Sequence, residues 1–136
     1  MTPAARVQAA IEVLDAVVEA ARSGGAPADR IVSDYFKSRR YAGSKDRRAV
    51  RELVYSAIRV CGPVPSSGRS AMLRLAQGHP ALEPLFDGSP HGPAPVDPGE
   101  AIAESGIAEA WLVSALAASG IAAEEAAALL DRAPLD

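Results

Sequence analysis

Apolar residues return at steps of three and four along most of the chain, the period of a helix with one buried face. Val7, Ile11, Leu14, Val18 and Ala21 define the first such stripe, with Arg6, Glu12, Asp15, Glu19 and Arg22 largely outside it. Thr2 is placed to cap this helix and Pro3 to occupy its first position, while Ser23-Gly24-Gly25 stops it. A second helix is predicted from near Pro27 to about Arg40, with Ile31, Val32, Tyr35 and Phe36 inward. A third, from about Lys45 to Cys61, follows the short link Tyr41-Ala42-Gly43, with Ser44 as its expected cap. Val50, Leu53, Val54, Ala57, Ile58 and Cys61 project to one side of it, and Arg48, Glu52, Tyr55 and Arg59 to the other. Arg47 and Arg51 border the apolar stripe.

The texture changes between Gly62 and Gly99, where eight of the eleven prolines lie. A helix is predicted over Gly68 to Gln77, then a single helical turn within His79 to Phe86. The segment Asp87 to Pro95 is too rich in proline and glycine for regular structure, so residues 78–99 form a long loop. It serves either as a docking segment or as a plain connector, and the sequence does not choose. Asp97-Pro98-Gly99-Glu100 has the chemistry of a capping box, which predicts a short helix after it. Two closing helices are expected, at about Ala108 to Ser119 with Trp111 as a core anchor, and at about Ala123 to Asp131. No internal repeat or strand pattern is present. The expected fold is all-α, a single-domain bundle of about six to seven helices.

Composition supports that reading. A chain of 136 residues suits one core, and its richness in alanine lets helix axes approach closely. The single cysteine, Cys61, rules out an internal disulfide and a multi-cysteine zinc site. No apolar run reaches the ~18 residues of a membrane span, and the N-terminus lacks the apolar block of a signal peptide. A cytoplasmic location is therefore expected. His79, His91 and Asp87 match no metal-ligand spacing, and no phosphate-binding glycine motif or activated nucleophile is evident, so neither a metal nor catalysis is expected of these residues.

Charge is what separates this chain from a generic bundle. Lys37 to Arg59 carries Lys37, Arg39, Arg40, Lys45, Arg47, Arg48, Arg51 and Arg59 against only Asp46 and Glu52. That segment is +6, so the rest of a chain of net charge −3 is −9. So lopsided a distribution points to an anionic partner met on one face, and nucleic acid is the commonest of these. The candidate RNA contacts are Arg48, Arg51 and Arg59 on the polar side of the third helix, with Arg39, Arg40 and Lys45 at its approach. Arg47 is set apart, as a residue that could pair with an acidic neighbour or dock another domain. Tyr55 and Tyr41 could each stack on an unpaired base or cover a seam between helices. The competing account is a solvated face whose cations pair with the acidic remainder, which makes the chain a helical protein-interaction module.

Three stretches also resemble the N-terminal domain of the Sun/Fmu-type RNA 5-methylcytosine methyltransferases, a helical bundle related to the antitermination factor NusB. They are AARVQAAIEVLDAV (Ala4 to Val17), SKDRRAVRELVYSAIR (Ser44 to Arg59) and the tail from Ala110 to Asp136. The loop FDGSPHGPAP (Phe86 to Pro95) looks like a feature of a subgroup. The resemblance implies a NusB-like domain that binds RNA and takes no part in the chemistry itself. It further implies a methyltransferase domain after Asp136, with S-adenosylmethionine as methyl donor and a cysteine that attacks C6 of cytosine. Ribosomal RNA and that catalytic domain are the implied partners. None of the matched motifs is catalytic, and Cys61 lies outside both cysteine motifs of the family. NusB-like bundles also serve as partner-binding proteins, so the interaction module stays open as the alternative.

Overall fold

The computed structural model describes residues 1–106, which form a packed four-helix bundle. Helix α1 spans Pro3–Ser23, α2 Ala28–Lys37, α3 Ser44–Val60 and α4 Gly68–Gly78, followed by a 3₁₀ turn at Glu83–Leu85. The two helices expected after Ala108, and Trp111 with them, lie outside the described residues.

Helix α1 begins as its sequence requires. Thr2 accepts the Ala5 N–H at 3.0 Å, Pro3 takes the first position, and Gly24 closes the helix at φ 71°. Its expected stripe is buried at Val7, Ile11, Leu14 and Val18, but Ala4, Ala5, Ala9, Ala10, Val13 and Val17 are buried too. The reason is position: α1 is the central helix, with α2, α3 and α4 all packed on it. A helix covered from several sides needs a broad apolar surface, and small alanines supply it without holding neighbours away.

The closest approach is at the start of α4. A side chain at Gly68 would lie 2.9 Å from Leu14 Cβ and 2.8 Å from the Asp15 nitrogen, and would overlap the Ile11 carbonyl oxygen. Only glycine lets α4 enter here. Its N–H donates to Asp15 Oδ1 at 2.6 Å, so a carboxylate of α1 satisfies the first turn of α4. Ser67 and Ser70 complete the cap, each hydroxyl accepting the other's backbone N–H.

Three local expectations are corrected. Helix α2 ends at Lys37, three residues short of Arg40, because Arg39 folds back onto Tyr35 and residues 39–42 turn. Gly43, not Ser44, caps α3; its N–H is taken by the Asp46 carboxylate at 3.2 Å, the N3 half of a capping arrangement. Among the described residues no helix follows Glu100. Gly99 has φ 80° and Glu100 N–H donates to Asp97 O at 3.1 Å, so Asp97–Glu100 is a tight turn with Pro98-Gly99 at its centre.

The proline-rich segment folds back along α4. Arg69 forms a two-pronged ion pair with Glu100, donates to the carbonyls of Ala94 and Pro95, and lies over the ring of buried Phe86. Arg74 donates to Ala103 O at 2.6 Å, and Ala103 N–H to Ser70 O at 3.1 Å. An antiparallel bridge then joins Ser105 to Cys61 just past α3. Among the described residues there is no strand, and no helix is long and apolar enough to cross a membrane.

Candidate nucleic-acid interface

The link between α2 and α3 and the first two turns of α3 carry most of the basic segment. Val50, Val54, Ala57 and Ile58 are fully buried and fix the rotation of α3 about its axis. That rotation leaves Lys45, Arg47, Arg48 and Arg51 exposed, with Arg40 exposed on the link before them. None of these five has an acidic partner among the described residues. Two of them, Lys45 and Arg47, stand in the first turn of a helix, where the backbone dipole disfavours positive charge by a few tenths of a kcal/mol each.

Asp46 is the acid that would have neutralised this patch, and it turns the other way. It is 8% exposed, lies 2.8 Å from Arg6 Nη2 and 3.3 Å from the Met1 ammonium, and accepts the Gly43 N–H. The Arg6 hydrogen bond, above all, holds its carboxyl below the usual aspartate range. Its charge is thus compensated inside the α1–α3 contact, leaving the outer cations without it. Glu52 remains exposed on the same helix.

The other cations have occupations of their own. Lys37 pairs with Asp34 at 3.1 Å. The Arg39 guanidinium sits 3.7 Å from the Tyr35 ring centroid, donates to Tyr35 O at 3.0 Å and approaches Glu12 at 3.9 Å. Tyr35 in turn donates to Glu12 at 2.6 Å; burial and that carboxylate push its phenol well above the ordinary range. Arg39 is therefore a clamp between α1 and α2. Arg59 is half-buried, donates to Ser56 Oγ at 3.2 Å, and keeps its Nε out of solvent without a hydrogen-bond partner.

Of the six candidate contacts, the structure groups Arg40, Lys45, Arg48 and Arg51 as exposed cations and sets Arg39 and Arg59 among engaged ones. Arg47 joins the first group: it is exposed, its guanidinium 5.9 Å from the Phe36 centroid. Tyr41 is 73% exposed beside Arg40, whereas Tyr55 is half-buried and has a partner.

A second feature lies on the flank of α3. Val7, Ala49, Leu53, Leu75, Leu82 and Leu85 line an open groove of about 380 Å³, rimmed by Arg6, Glu52 and His79. The sequence signal for it is Ala49, one turn before Leu53, which widens the apolar stripe of α3 on that side. Cys61 is fully buried and its thiol is pushed up to about 11 by that burial, which suits packing and not nucleophilic chemistry. Among the described residues no three His, Cys, Asp or Glu side chains converge as a metal site. His79 and His91 are both exposed, and His79 Nδ1 lies 3.1 Å from Leu75 O. No family model matches the chain, and no curated protein or solved structure is significantly similar to it.

Proposed function

We propose that this chain is the RNA-binding domain of an S-adenosylmethionine-dependent ribosomal RNA cytosine-C5 methyltransferase, a NusB-like bundle that holds RNA for a separate catalytic domain. The observation that carries the RNA-binding part is the cluster of five exposed cations, Arg40, Lys45, Arg47, Arg48 and Arg51, without acidic partners among the described residues. Cations left unpaired at an unfavourable helix end are costly to a bundle for its own sake and useful to one that meets phosphates. The methyltransferase part rests on the family resemblance of the three sequence stretches. Holding RNA in this way contributes through effective concentration, with the chemistry supplied elsewhere.

Counterion release gives the test a magnitude. If each of the five cations neutralises one phosphate of a single strand, log affinity falls with log salt at a slope of about −3.5. Raising salt from about 50 to 200 mM then weakens binding roughly a hundredfold. Replacing Lys45, Arg48 and Arg51 together by glutamine should flatten the slope by about 2 while leaving the helical signal unchanged. An unaltered slope in that variant, or binding indifferent to salt, would refute an RNA face at α3.

The apolar groove beside α3 favours the second reading, a protein-interaction module. On that reading, substitution of Leu53 or Leu82 by a polar residue abolishes partner binding, and the cation variant leaves it intact.

A further inference from the structure

Tyr41 is the most exposed large apolar side chain of those described, at 73% against 40% for Val96 and 37% for Ile102. The backbone beneath it is nevertheless held. Ala42 N–H donates to Arg39 O at 3.1 Å, closing a turn with Arg40 and Tyr41 at its corner. On one side of that corner Arg39 is clamped to Tyr35 and Glu12. On the other, Ala42 is 1% exposed and Gly43 N–H is fixed to Asp46. A floppy loop would leave a ring exposed by default, but this turn is anchored at both ends and still presents its ring to water. Among the described residues the Tyr41 hydroxyl has no hydrogen-bond partner, whereas the Tyr35 hydroxyl is taken by Glu12. The nearest charged residues along the chain that are free of acidic partners are Arg40 on one side and Lys45 on the other.

An aromatic face raised into solvent between unpaired cations fits one kind of RNA better than another. Within a duplex the bases already stack on one another, so the ring gains nothing and only the phosphates count. An unpaired base can lay its face on the ring while its flanking phosphates meet the cations. Resting on the RNA reading above, we propose that the ligand of this face is an unpaired nucleotide. Its base stacks on Tyr41, and its neighbouring phosphates lie against Arg40 and Lys45. The face thus selects a single-stranded loop, bulge or end over continuous helix.

The test compares a single-stranded oligoribonucleotide of about ten nucleotides with a duplex of the same length, at one low salt concentration. One base–aromatic stack corresponds to about a 5- to 150-fold effect on affinity. Tyr41→Ala should weaken single-strand binding within that range, Tyr41→Phe should stay close to the parent, and neither should alter duplex binding. Tyr41→Trp supplies a direct readout, since an added indole at this position should be quenched by the single strand and not by the duplex, measured against the parent chain. Equal losses on both RNAs, or none on either with the added indole unquenched, would overturn the stacking proposal and leave salt-dependent RNA binding standing. Failure of the parent chain to bind either RNA would overturn both. Because the ring is exposed, circular dichroism of Tyr41→Ala should match the parent, and the Phe and Trp variants keep the test valid if it does not.

Discussion

Substituting Gly68 by alanine sets two effects of opposite sign against each other, and the structure decides between them. Gly68 is the first residue of α4, and alanine there narrows the unfolded ensemble, a gain of about 0.4–1 kcal/mol. At an open site the change would therefore stabilise. At Gly68 the new methyl would sit 2.9 Å from Leu14 Cβ and 2.8 Å from the Asp15 nitrogen, and would overlap the Ile11 carbonyl. Ordinary contact is about 3.5–4.0 Å, and backbone atoms in the middle of α1 cannot rotate aside, so α4 must move out by about 1 Å. That shift loosens packing around Leu14 and Ala71, both fully buried, at about 1–3 kcal/mol. It also stretches the Gly68 N–H to Asp15 bond, a charge-assisted contact contributing about 1.5 kcal/mol. The net expectation is a loss of about 1.5–4 kcal/mol, read as a urea midpoint lowered by about 1–2 M with unchanged slope. Gly43→Ser is the matched control: an added Cβ there meets nothing within 4 Å, and serine is a better cap by a few tenths of a kcal/mol. A midpoint for Gly68→Ala at or above that of the parent would show that α4 does not dock on the α1 backbone as described.

Arg39→Ala should lower stability by about 1–2 kcal/mol through the lost ring contact and hydrogen bonds, while the salt slope of RNA binding stays within error. Arg51→Ala should do the reverse, and denaturation paired with RNA titration of both variants checks the division. Asp46→Asn should lower the thermal midpoint at about pH 7, with the deficit fading as pH falls below 3.8. The sign follows from the depressed carboxyl: stability from this cluster is whole above the unfolded value and is lost as pH drops through the folded one. A deficit that does not shrink at all as pH is lowered through the acid range below 3.8 would refute the ion-pair account. Cys61 should resist a thiol reagent in the native protein and react only as urea unfolds it, because it is fully buried and its thiolate is disfavoured.

The helices were legible because their signals are local. Threonine-proline at the start of α1, the glycines at its end and the apolar step in α3 each act within a few residues, and each appears in the structure where the pattern puts it. The Pro98-Gly99 pair misleads because a capping box and a tight turn share the same residues; the φ of 80° at Gly99 separates them, and it is not visible in the letters. What the sequence could not show was partner choice between distant residues. Asp46 and Arg6 are forty positions apart, as are Asp15 and Gly68 by fifty-three, and only packing brings them together. Arg39 and Arg59 look equivalent to Arg48 in a count of charges. Contact with Tyr35 takes the first out of circulation, and partial burial on the flank of α3 takes the second.

That sorting changes what the charge asymmetry means. A net of +6 over Lys37 to Arg59 is an average over cations of two kinds. Lys37 and Arg39 offset acids on α2 and α1, and so belong to the electrostatics of folding. Arg40, Lys45, Arg47, Arg48 and Arg51 offset nothing among the described residues. The buried acid in their midst is drawn inward by Arg6, a residue of a different helix. Asp46 therefore does two things at once: it satisfies the start of α3, and it withdraws a negative charge from the surface the cations share. Were Arg6 replaced by a neutral residue, the carboxylate would be left with the Met1 ammonium and the Gly43 N–H, and more of its field would reach the outer face. Anion affinity at Lys45 and Arg48 would fall without either residue being touched. The strength of the basic face is thus set from inside the bundle, by where one buried carboxylate finds its counter-charge.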